Sequence, residues 1–167
     1  MKLAVGDTVV YGKHGIGRVV ARKKQVVGGA ASELVVLELG DGLTVTLPLE
    51  RACAQLRPVA SKTELKHVRE TLREEQSLSF DPWLSRRRAT MEKLAAGRLT
   101  DLAEIVSEGA QRERIRVEAG SPPRLPTAER DVFVKARELL AGEISIALSL
   151  QPEAADRWIE EQLARPD

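Results

Sequence analysis

Between residues 58 and 61, in the stretch "PVAS", the hydrophobic pattern of this chain changes period. Upstream, Leu43, Val45 and Leu47 alternate with Thr44 and Thr46, the two-residue period of a half-buried strand. "GDTVVYG", "IGRVVARKKQVV" and "ELVVLEL" are further β-branched runs, separated by the turn signals Gly28-Gly29 and "GDG" at 40–42. Downstream, Leu65, Val68 and Leu72 recur at the three- and four-residue spacing of a helix face. The two patterns bury different kinds of surface, so the chain reads as an α+β protein of two domains. Residues 1–57 form a small antiparallel β-sheet or barrel of four or five strands, with a core that is marginal on its own. Residues 62–167 form a bundle of about five helices.

The helical half carries its own punctuation. Ser61 and Glu64 have the spacing of a capping box. "SLSF" at 77–80 interrupts the pattern; Asp81 then reads as an N-cap with Pro82 in the first helical position, and that helix runs to about Gly97. Another helix begins near Thr100. After the proline-rich connection "GSPPRLPT", a helix capped by Thr127 carries Val132, Phe133, Ala136 and Leu140. Pro152 opens a last short helix, with Trp158 as a core anchor.

"DPWLSRRRATMEKL", residues 81–94, places one of only 2 tryptophans beside three consecutive arginines. With about 100° per residue and Leu84 at the origin, Met91 falls at about 340°, Ala95 at about 20° and Leu94 at about 280°. These residues define the expected core arc. Trp83 lies at its edge, and Arg87 falls inside it. Burying an unpaired guanidinium is expensive, so the first turn is expected to overhang the core and leave the ring exposed or semi-exposed. An exposed indole with Arg86, Arg87 and Arg88 suits nucleic acid, because guanidinium groups neutralise phosphates and a flat ring stacks on a base. A half-buried Trp followed by a solvated charge run explains the same residues equally well.

Composition closes off several alternatives. Aromatics are 3% of residues, so the core must be aliphatic. A net charge of +1 argues against a basic coat over the whole surface, but not against a local cationic patch. Cys53, the only cysteine, has no partner for a disulfide or a thiolate cluster and reads as a buried thiol. His14 and His67 lie in different halves, without metal-ligand spacing. "YGKHGIG" lacks the Lys-Ser/Thr end of a phosphate loop, and no catalytic triad or carboxylate pair is legible. No cofactor, no metal, no membrane partner and no enzymatic activity are expected. A cytoplasmic location follows from the cysteine content and the absence of a signal or membrane-spanning run.

Taken in order, "VGDTVVYGKHGIGRVV", "LTVTLP", "W…RR…MEKLAAG" and "AERDVFVKARELLAGE" resemble the CarD/CdnL family of bacterial transcription regulators. The resemblance spans nearly the whole chain. It implies an N-terminal Tudor-like domain, similar to the polymerase-interacting domain of the Mfd translocase, that binds the RNA polymerase β subunit. It also implies a monomeric, nucleoid-associated factor whose helical domain rests on promoter DNA, without sequence preference, at the upstream edge of the bubble. Trp83 falls on the family's wedge tryptophan, Arg86 and Arg88 on basic residues beside it, and Arg130 on another basic position. Two arginines that family members use on polymerase fall on Gln25 and Thr46 here, with Arg22, Lys23 and Lys24 close by. The expected DNA-binding set is therefore Trp83, Arg86, Arg87, Arg88 and Arg130. The expected polymerase-binding set is Arg22, Lys24, Gln25, Thr44 and Thr46. The alternative is a protein–protein adaptor without direct DNA contact.

Overall fold

The computed structural model describes residues 2–164. They divide into two compact units, the first ending at Val59 and the second beginning at Ala60.

The first unit is a five-stranded antiparallel sheet in the order β4-β3-β2-β1-β5. Its strands are β1 (Thr8–Val10), β2 (Ile16–Val27), β3 (Ala30–Leu39), β4 (Thr44–Pro48) and β5 (Arg57–Pro58). The sheet is open: among the described residues, β4 pairs only with β3, and β5 only with β1. Gly28 and Gly29 form the two-residue β2–β3 loop, with φ of 60° and 84°. Both values lie where side-chain-bearing residues are strained, so the turn expected from the sequence requires these glycines. Val19, Val35, Leu37 and Leu47 line the buried face. Between β4 and β5 lies α1 (Leu49–Gln55), an element that the sequence reading passed over. It packs on β3 and β4 through the fully buried Ala52. Cys53, expected to be buried, is exposed. Once the segment is helical, consecutive residues point in different directions, and Ala52 takes the inward place.

The second unit contains α2 (Lys62–Arg73), α3 (Trp83–Ala96), α4 (Leu99–Glu118), α5 (Thr127–Leu148) and α6 (Pro152–Leu163). α4 contacts α2, α3 and α5, and α6 lies on α5 and α2. α2 begins with the expected capping box: the Ser61 amide donates to Glu64 Oε2 at 2.8 Å, and the Glu64 amide donates to Ser61 Oγ at 3.3 Å. Its face of Leu65, Val68 and Leu72 is buried. The core continues through Leu102, Val106, Leu140, Ile144 and Ile159. Glu143 is buried within it and accepts from the Ala60 amide at 2.9 Å, tying the start of this unit to α5. α4 and α5 approach closely at Gly109, where an added Cβ would lie 2.1 Å from the Phe133 ring. Arg137 bridges α5 to α6 through Asp156 and Glu160.

Several expected caps are placed differently. Pro82, not Asp81, is the N-cap of α3, and no side chain caps that helix. Thr127 is the first residue of α5, and Pro126 precedes it as an N-cap without a side-chain hydrogen bond. In both places a proline supplies the extended backbone angle that starts the helix, so no side-chain oxygen is needed to set the turn.

Candidate nucleic-acid interface

The buried face of α3 is not the one centred on Leu84. Leu84 is 82% exposed and Met91 39%, whereas Leu94 is buried. The side chains turned toward α4 and α5 are Trp83, Arg86, Thr90 and Leu94, at about 200–280° on the same wheel. The missing fact was the partner of Arg86. Its guanidinium donates from Nη2 to Glu129 Oε1 of α5 at 2.8 Å and from Nε to the Asp81 carbonyl at 2.9 Å. A guanidinium so paired tolerates a packed position, with the two side chains only 15% and 11% exposed. Arg86 also lies over the Trp83 ring, 5.5 Å from its centroid.

The same carboxylate serves a second cation. Arg112 of α4 places Nε 3.7 Å from Glu129 Oε1 and donates from Nη2 to the Ser79 carbonyl at 2.9 Å. Partial burial, then the charge of Arg86, lowers the Arg112 pKa below the usual arginine value, against the opposing pull of Glu129 and Glu108. The Glu129 carboxylate thus sits between two cations. Trp83 is half-buried beneath it, with Nε1 buried and without a hydrogen-bond acceptor among the described residues. Glu129 and Arg112 were absent from the expected site. Their distances in sequence from Arg86 follow no local spacing rule, and only "AER" at 128–130 hinted that an acid stands beside a basic position.

Outside this cluster, Arg87 and Arg88 are exposed, and Arg88 makes only a solvent-exposed contact with Glu92 at 3.4 Å. Arg130, in the first turn of α5, is also exposed. The expected DNA-binding set is therefore divided: Arg87, Arg88 and Arg130 are open to solvent, Arg86 is committed within the unit, and Trp83 stands between.

The polymerase-binding candidates divide by sheet face. Cross-strand partners share a face, and successive residues alternate. Thr46 pairs with Val36 and Thr44 with Glu38, while Gln25 pairs with Ser32, four residues before Val36 and so on the same side of β3. Gln25, Thr44 and Thr46 thus share the outward face and are exposed. Arg22 and Lys24 start from the face that carries Val35 and Leu37. Arg22 donates to the Leu3 carbonyl at 2.8 Å and pairs with Glu33. Lys24 is exposed.

Among the described residues, no group of three His, Cys, Asp or Glu side chains could hold a metal ion, and no helix is long and apolar enough to cross a membrane. Two features thus stand open to solvent: the unpaired edge of β4 in the first unit and the guanidinium groups of Arg87, Arg88 and Arg130 in the second.

The family follows from comparison with known proteins. Residues 3–60 match the CarD-like/TRCF RID domain and residues 67–160 match the CarD C-terminal domain, so the chain belongs to the CarD-like family. Members are transcription regulators rather than enzymes, and the first domain is the one that interacts with RNA polymerase. The chain is also similar to "Putative transcription factor YdeB" of Bacillus subtilis (strain 168), at 24% identity over 144 residues, covering 85% of this chain and 90% of that protein.

Proposed function

We propose that the chain stabilises the open promoter complex by docking on the RNA polymerase β subunit and contacting the upstream fork of the bubble through α3. Docking uses the free edge of β4, whose backbone groups are available for strand addition, with Thr44, Thr46 and Gln25 on the adjoining outward face. At the fork, Arg87, Arg88 and Arg130 meet phosphates and Trp83 meets the separated strands. Arg86 acts as a positioning residue: its pair with Glu129 holds the guanidinium over the indole. The observation that carries the reading is this half-buried indole at the first turn of α3, with two solvent-exposed arginines four and five residues further along the helix.

The energetic logic is linkage. A contact made only with opened DNA shifts the closed-to-open equilibrium by its differential affinity. If a stack and one or two phosphate contacts contribute about 2 kcal/mol, the open complex rises roughly thirtyfold. No side chain needs to read sequence, so polymerase supplies the address. Trp83→Ala is expected to leave polymerase binding intact and shorten the open-complex lifetime. The double variant Arg87→Ala/Arg88→Ala removes no packed contact and should shorten it too. Unchanged lifetimes in both would remove α3 from the mechanism. An adaptor without DNA contact would show little salt dependence in its binding to polymerase-bound fork DNA, whereas phosphate contacts impose a steep one.

A further inference from the structure

Phe80 is the most exposed large apolar side chain among the described residues, at 90%. A phenyl ring in a loose loop would fold back onto the nearest apolar surface. Phe80 borders a surface pocket that includes Leu78, Ile115 and Leu125, yet it stays in solvent. Arg112 Nη2 donates to the carbonyl of Ser79, and Arg86 Nε to the carbonyl of Asp81, each at 2.9 Å, so the residues on both sides of Phe80 are held. The Asp81 amide donates to Ser79 Oγ at 3.2 Å. Further back, Gln76 and Gln111 exchange two hydrogen bonds, at 2.9 and 3.2 Å. The guanidinium groups that meet at Glu129 therefore also anchor the backbone on either side of an exposed aromatic ring. Leu84, in the next turn of chain, is 82% exposed.

We propose that Phe80 is a second stacking residue for unpaired DNA bases, next to Trp83. The inference rests on the reading of α3 as the DNA-facing helix. The choice of occupant follows from the surroundings. Phe80 lies three residues before Trp83, lines one surface pocket with Arg86, Arg112 and Arg116, and precedes the exposed Arg87 and Arg88 by seven and eight residues. A ligand that offers flat apolar faces along a polyanion satisfies both the ring and the cations. Paired bases keep their faces stacked, so the contact belongs to opened strands only.

The test uses the full chain with RNA polymerase and two DNA probes of one sequence, a duplex and a copy with a mismatched bubble. Phe80→Ala should weaken the bubble complex about five- to a hundredfold, leave the duplex complex and Tm unchanged, and be rescued by Phe80→Tyr, which keeps the ring. Wild-type binding to the bubble by Phe80→Ala, while Arg87→Ala/Arg88→Ala loses it, would overturn this proposal and leave the role of α3 standing. If both variants bind the bubble as wild type does, both readings fall. Equal losses on duplex and bubble would place Phe80 on a protein surface and overturn the stacking role.

Discussion

α2 and α3 are successive helices of 12 and 14 residues in one bundle, attached by unlike means. α2 buries Leu65, Val68 and Leu72 and keeps its charges in water. Of α3, only Leu94 is buried, and the rest of its contact face is an indole, a threonine, an arginine paired to Glu129 and a lysine paired to Glu104. Transfer of aliphatic surface holds α2, and such attachment is indifferent to ions. Charge geometry holds α3, with one acid between two cations. The side chains that fasten α3 are thus of the kind that respond to an external anion, as the proposed placement on DNA would require.

Truncating α2 should have the largest effect. Leu72→Ala removes a side chain that is 2% exposed, and thermal or urea unfolding should show a loss of about 2–5 kcal/mol. Glu129→Gln keeps the shape and one acceptor but leaves Arg86 and Arg112 without their counter-charge. A loss of about 1–3 kcal/mol is expected, together with faster amide exchange at Ser79–Asp81. Wild-type stability and exchange in this variant would show that α3 is held by packing after all, and the contrast with α2 would disappear. The smallest effect concerns Lys93 of α3 and Glu104 of α4, paired at 2.6 Å. That hydrogen bond outweighs partial burial and raises the Lys93 pKa. A raised pKa means that the contribution is complete below the ordinary lysine value of about 10.4 and is lost as pH climbs through the higher folded value. Both groups are over a third exposed, so the difference in stability from Glu104→Gln should be a few tenths of a kcal/mol near neutrality and vanish in strong alkali.

The same two helices mark how far the sequence could be read. Ser61, Glu64, Leu65, Val68 and Leu72 declare α2 completely, because its cap and its face are both local patterns. The strands and the Gly28-Gly29 turn were legible for the same reason. α3 misled because its packed arginine looks solvated until Glu129, 43 residues away, is placed beside it. Taking Leu84 for the core followed from centring the arc on the aliphatic side chains Leu84, Met91, Leu94 and Ala95. Arg112 escaped notice because nothing near it in sequence sets it apart. α1 was missed because Ala52 and Cys53 carry too little apolar surface to reveal a period.

The loop at 77–81 has a kinetic consequence. Its backbone loses its freedom when the bundle folds, at the carbonyls of Ser79 and Asp81, and not when a ligand arrives. In the proposed contact with opened DNA, association would then carry no slow ordering step and should proceed at the rate set by electrostatic encounter. Substitutions at the loop tip would accordingly be felt in residence time, with arrival rates nearly constant from one variant to the next.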